Sequence, residues 1–161
     1  MLSNRFSRRI ALLGLLGLAG CGFAPMYGDG AATQGIFAFE TDESVLGFRL
    51  RARLANRLGQ TANPQFAVKA TLTVSERAAT ITEGNDTSRL NVIGSANWSL
   101  IDLATNQQIK TGKVEGFTSY SASASTVATQ TAKDDAGARL AVILADLIAT
   151  RVLVATSDQP S

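Results

Sequence analysis

Cys21 is the one thiol in the chain, and Leu18, Ala19 and Gly20 stand directly ahead of it. Behind these lie an apolar run from Ile10 to Leu18 and a basic stretch carrying Arg5, Arg8 and Arg9. That order of basic, apolar and small residues is the order of an export signal, so the chemistry expected at Cys21 is acylation and cleavage. Acylation would consume the thiol and leave none for a disulfide, a metal or a nucleophile. The chain also holds no histidine, which removes the commonest general base and the commonest metal ligand together. The 13 acidic residues are spread along the chain, and no pair sits in an apolar setting that would split two carboxyl pKa values. We therefore expect no enzyme, no metal and no cofactor apart from the lipid carried covalently by Cys21.

Leu18-Ala19-Gly20-Cys21 resembles the bacterial lipobox. The resemblance implies a diacylglycerol on the cysteine thiol, cleavage before Cys21 and an N-acyl chain on the freed amine. The apolar run is about half of the roughly 20 residues that a membrane-spanning helix needs, and Gly14 and Gly17 interrupt it, so a cleaved signal fits better than a retained anchor. Ser7-Arg8-Arg9 is compatible with twin-arginine export as well as with ordinary unfolded export. Residues 1–20 carry three of the 15 Lys+Arg and none of the 13 Asp+Glu. The formal charge of +2 therefore belongs to the signal, and the mature chain gives no support for nucleic-acid binding.

The expected organisation is a lipoprotein signal peptide at 1–20, a lipidated tether at 21–35, one domain at 36–155 and a flexible tail at 156–161. The tether is rich in glycine and small residues, with Phe23, Met26 and Tyr27 among them. Ile36 to Glu40 reads as a short strand, and Thr41 to Ser44 supply side chains that cap a helix. The helix should run from Val45 to Leu58, because Leu46, Leu50, Leu54 and Leu58 form one apolar stripe and Gly59 follows as a stop. Arg49, Arg53 and Arg57 stack beside that stripe.

Phe66 to Ser75 alternates apolar and polar residues, as does Arg89 to Leu103, and Glu83-Gly84-Asn85-Asp86 between them has the chemistry of a hairpin tip. A turn at Asp102 to Gln108 leads to a further strand at Lys113 to Tyr120. Trp98 and Tyr120 fall on the apolar faces of their strands, as core residues do. Ser121 to Gln130, almost entirely Ser, Ala and Thr, reads as a loop before a final helix at Thr131 to Val154, with Asp135 paired to Arg139. The fold class expected is α+β: a four-stranded, mostly antiparallel sheet with two helices packed on one face, the other face polar and free to meet solvent or a partner.

Cys21-Gly22-Phe23-Ala24-Pro25-Met26-Tyr27-Gly28 resembles the start of the mature proteins of the LptE family of lipopolysaccharide-assembly lipoproteins, in its alphaproteobacterial form. The helix after the first strand, the long hairpin, Ser119-Tyr120-Ser121 and the alanine-rich final helix follow in the same order. The resemblance implies a lipoprotein of the inner leaflet of the outer membrane, facing the periplasm, that assembles with and plugs the LptD β-barrel translocon. It implies contact with lipopolysaccharide, whose phosphates call for Lys or Arg. Arg77 and Arg89, flanking the hairpin tip, and Lys113 are the candidates in this sequence, expected as a basic cluster at one end of the sheet. The Arg49/Arg53/Arg57 flank is a second. Gly22 after the lipidated cysteine permits transport onward to the outer membrane. The competing expectation is a periplasm-facing, lipid-binding lipoprotein acting alone or with an inner-membrane exporter, which would carry an acyl-sized cavity between helices and sheet.

Overall fold

The computed structural model describes residues 35–81 and 87–157, the side chains of 79–81 and 87–88 excepted. Cys21, the tether and the hairpin tip at Glu83 to Asp86 lie outside the described residues, as does the end of the tail from 158 onward. Six elements follow in the order β1 (Phe37–Thr41), α1 (Val45–Leu58), β2 (Phe66–Ile81), β3 (Thr87–Asp102), β4 (Gln108–Ser121) and α2 (Thr126–Ser157).

The α1 bounds are those the leucine spacing predicts, and both ends are capped. Ser44 lies in extended backbone and its Oγ accepts from the Gly47 N–H at 2.9 Å. At the other end Gly59, with φ of 75°, donates its N–H to the Ala55 carbonyl at 2.9 Å. Leu50, Leu54 and Leu58 are wholly buried. At about 1.5 Å per residue this helix carries the chain back some 21 Å, so β2 starts beside the start of β1 and the two strands pair in parallel, Phe37 with Phe66 through Thr41 with Ala70. The remaining ladders are antiparallel, and the strand order is β1-β2-β3-β4. The sheet is thus mixed and mostly antiparallel. Where β1 ends, the Asp42 carboxylate takes over the edge and accepts from the Leu72 N–H at 2.7 Å.

Even-numbered residues of β2, β3 and β4 are brought into line by the register, and they form the face beneath the helices: Val68, Ala70, Val92, Ala96, Trp98, Leu100, Val114 and Tyr120 are all buried there. Both aromatic residues are core residues, as their strand positions predict. From α2, Leu140, Leu144, Ile148 and Val152 pack down into the same layer. Gly94 and Gly116 let α2 come close: a Cβ on Gly94 would stand 2.7 Å from Leu140 Cδ2. Side chains therefore fill the space between helices and sheet.

Three elements extend well beyond their expected bounds: β2, which runs past Ser75 to Ile81 in its pairing with β3, and α2 and β4. The helix α2 begins at Thr126 rather than Thr131, because Ser125 caps it: its carbonyl accepts from Thr129 N–H at 3.0 Å and its Oγ from Ala128 N–H at 3.3 Å. Its C-terminal end continues to Ser157, past the expected end at Val154. β4 begins at Gln108 rather than Lys113, since pairing with β3 sustains a stretch whose own pattern is polar. By length and composition α2 would also suffice to cross a membrane, but half of its most apolar stretch is buried against the domain, as in a core helix.

Candidate interaction surfaces

The basic residues expected to cluster divide into two places. Arg77, Arg89 and Lys113 all carry odd numbers and so lie on the sheet face away from the helices, where each is exposed. Arg77 pairs with Asn91, two residues from Arg89, so the two arginines are diagonal neighbours with Cα atoms roughly 7–8 Å apart. Lys113 is elsewhere. It pairs with Asn97 while Ser121 pairs with Arg89, a separation of eight residues or about 27 Å along the ladder. Its ammonium meets Glu115 at 2.6 Å, and that partner holds the Glu115 carboxyl below its usual range. The single cluster expected from the sequence is therefore a pair, Arg77 and Arg89, with Lys113 apart; the physical reason is that antiparallel pairing starts β4 beside the C-terminal end of β3, Gln108 opposite Ile101, whereas Arg89 stands at the other end of β3 opposite Ser121.

On the other face of the sheet the Glu76 carboxylate joins three elements. It receives Lys133 Nζ from α2 at 2.6 Å and the Tyr120 hydroxyl from β4 at 3.1 Å. Lys133 first, and Tyr120 after it, hold Glu76 below the ordinary carboxylate range. Burial, then Glu76, pushes Tyr120 up, and Glu76 raises Lys133. The cluster ties α2 to β2 and β4.

The arginine flank of α1 is divided in its duties. Arg53 grips Asp146 of α2 through two bonds, Nε to Oδ1 at 2.9 Å and Nη2 to Oδ2 at 3.0 Å, and Arg57 Nε reaches Oδ1 at 3.5 Å. Arg49 makes no such pair among the described residues and, with Arg53, Asn56 and Arg139, borders a groove between α1 and α2 of about 910 Å³ whose apolar lining is Val45, Phe48, Val142 and Ile143 with the small residues Ala52 and Ala138. The lining is mostly apolar, yet it faces outward: Val45 is 74% and Phe48 60% exposed. Arg51 lies with its guanidinium carbon 5.4 Å from the Phe48 ring centroid. The sequence carried a signal for this surface. Phe48 stands two residues from both Leu46 and Leu50, about 160° round the helix from the buried stripe, an apolar residue with no place in the core.

Among the described residues no group of three acidic, histidine or cysteine side chains is arranged to hold a metal ion. Fold and surface together define a two-layer α+β domain with a filled core, a polar sheet face and an arginine-bordered apolar groove on its helices. The family model LptE, lipopolysaccharide-assembly, matches residues 34–152, and the chain belongs to that family. Its role thus lies in lipopolysaccharide assembly.

Solved structures share the fold. A chain from Caulobacter crescentus assigned as a lipoprotein is 22% identical, with a TM-score of 0.61 over 78% of this chain and 93% of that one. Rare lipoprotein B from Shewanella oneidensis is 10% identical, with a TM-score of 0.58 over 75% and 95%. Lipoprotein B from Nitrosomonas europaea is 10% identical, with a TM-score of 0.59 over 78% and 86%. No curated protein matches the chain.

Proposed function

We propose that this chain is an outer-membrane lipoprotein that is anchored by acyl chains on Cys21 in the inner leaflet and assembles with and plugs an LptD-type β-barrel for delivery of lipopolysaccharide to the cell surface. The observation that carries the reading is the LptE family match, which spans the folded domain from residue 34 to 152. The order of signal, lipobox and small-residue tether ahead of it supports the anchor. Diacylglycerol plus an N-acyl chain is ample for stable attachment, since each buried CH₂ adds about 0.8 kcal/mol and two chains suffice. In this reading residues 1–20 are the signal and 21–35 the tether, and the domain expected at 36–155 also takes in Thr156 and Ser157 as the last residues of α2. Arg77 and Arg89, adjacent on the exposed sheet face, are the side chains best placed to meet lipid phosphates, with Lys113 as a separate contact.

The rival reading, a carrier that encloses an acyl chain between helices and sheet, is opposed by the packing there: Leu50, Leu54, Leu140, Leu144 and Ile148 are at most 1% exposed. A native pull-down with a C-terminally tagged copy from gently solubilised membranes tests the assembly. Stoichiometric recovery of an LptD-type barrel through a stringent wash is expected. Recovery of the lipoprotein alone, or with inner-membrane exporter subunits, would overturn it.

A further inference from the structure

We propose that the groove between α1 and α2, with Phe48 as its anchor, is the surface that seats against the barrel partner's inner wall, at a place where apolar side chains are bracketed by carboxylates. This rests on the reading that the chain assembles with a barrel.

Three features support a protein surface as the occupant. First, Phe48 lines the groove yet is 60% exposed, and Val45, Val142 and Ile143 line it with further exposed apolar surface. An aromatic anchor with an apolar surround and a charged border is the anatomy of a protein interface. Second, the charge is one-sided. The helix α1 carries four arginines, Arg49, Arg51, Arg53 and Arg57, and no acid, while Asp146 engages only Arg53 and Arg57. Arg49 and Arg51 on either side of Phe48 have no carboxylate within 4.0 Å among the described residues, although Asp42 and Glu43 share a hollow with Phe48 and Arg51, so the side of the groove around Arg49 is the one that calls for carboxylates on the partner. Third, the opposite face is a poor competitor. Its exposed positions along β2 and β3 are Lys69, Thr71, Thr73, Ser75, Asn97 and similar polar residues, with apolar relief only where Ile93 faces Phe117.

The test uses the full lipidated chain in outer membranes. A photoactivatable phenylalanine analogue is placed at Phe48 or Ile143, and for comparison at Thr73 on the sheet face; the tagged chain is then recovered after irradiation. Crosslinks to the barrel from positions 48 and 143, and none from 73, are expected. In parallel, Phe48→Glu should cut barrel recovery about tenfold or more while leaving the melting curve of the chain unchanged, because an exposed side chain contributes little to the core. Should the substitution disturb folding, the crosslinks decide. If the wild-type chain recovers no barrel, the assembly reading fails and this inference with it. If the barrel is recovered but crosslinks come only from Thr73, or position 48 crosslinks to glycolipid instead of protein, the assembly reading stands and the groove assignment falls.

Discussion

Substituting Gly94 with alanine adds a single methyl group at the point where α2 lies closest to the sheet. The new Cβ would stand 2.7 Å from Leu140 Cδ2, 3.2 Å from its Cγ and 3.4 Å from Leu144 Cδ1. Leu140 cannot easily retreat, since it is 1% exposed and also lies over Gly116, the residue that pairs with Gly94 across β3 and β4. Overpacking of this kind costs about 1–3 kcal/mol. Loss of glycine freedom in the unfolded chain works the other way by about 0.4–1 kcal/mol. The net expectation for Gly94→Ala is a destabilisation of about 1–2 kcal/mol. In a Leu140→Ala background, itself about 2–5 kcal/mol less stable, the clash has no partner, and Gly94→Ala should become neutral or stabilising by up to about 1 kcal/mol. The two substitutions thus couple by about 2 kcal/mol. Equilibrium urea unfolding of the mature chain carrying Cys21→Ser, followed by circular dichroism and Trp98 fluorescence, measures all four corners of the cycle. Gly116→Ala serves as a graded control: its nearest contact, 3.1 Å, is to Ile143, which is 39% exposed and free to turn outward, so its cost should be smaller. An equal cost for Gly94→Ala in both backgrounds, or none in either, would refute the close-approach argument.

Glu76 is held below its ordinary value of 4.5, so its ionised form stabilises the fold above about pH 4.5, and that contribution is lost as the pH falls through the lower folded value. Lys133 and Tyr120, both raised from 10.5 and 10.0, contribute below pH 10 and lose that contribution as the pH rises through their folded values. Glu76→Gln should therefore flatten the acid limb of a melting-temperature profile between pH 3 and 6; an unchanged limb would show that other carboxylates carry it. Cys21→Ser should abolish acylation and release the chain from the membrane fraction, as read by mass spectrometry of the mature N-terminus and by fractionation. In binding to purified lipopolysaccharide, Arg77→Glu and Arg89→Glu should each weaken retention about tenfold, roughly the worth of a charge-assisted bond. Lys113→Glu, about 27 Å along the ladder, should act independently of both; equal, non-additive losses at all three positions would argue for one site instead.

What could be read in the sequence was whatever repeats locally. The leucines every fourth residue, Ser44 ahead of them and Gly59 behind them define α1 by spacing and caps that neighbours only reinforce. The alternation along β2 and β3 likewise separates a buried from an exposed face, because a one-residue slip would invert every side chain. Strand ends and registers are decided elsewhere. Gln108 to Gly112 are polar and glycine-containing and become strand through pairing with β3, which is why Lys113 lies in mid-strand; its distance from Arg89 follows from β4 entering at the opposite end of β3. Ser121 to Gln130 read as a loop on composition, although Ser125 was a cap in plain view and the Ala and Thr that follow are compatible with a first helical turn. Phe48 carries the opposite lesson. Periodicity assigns it no role in the core, and the structure leaves it exposed beside two arginines that the fold itself does not pair. A single exposed apolar residue, such as Phe117 at 67%, means little by itself; Phe48 differs in standing beside Val45, Val142 and Ile143, and a contiguous apolar surface rimmed by arginines is what marks an interaction site.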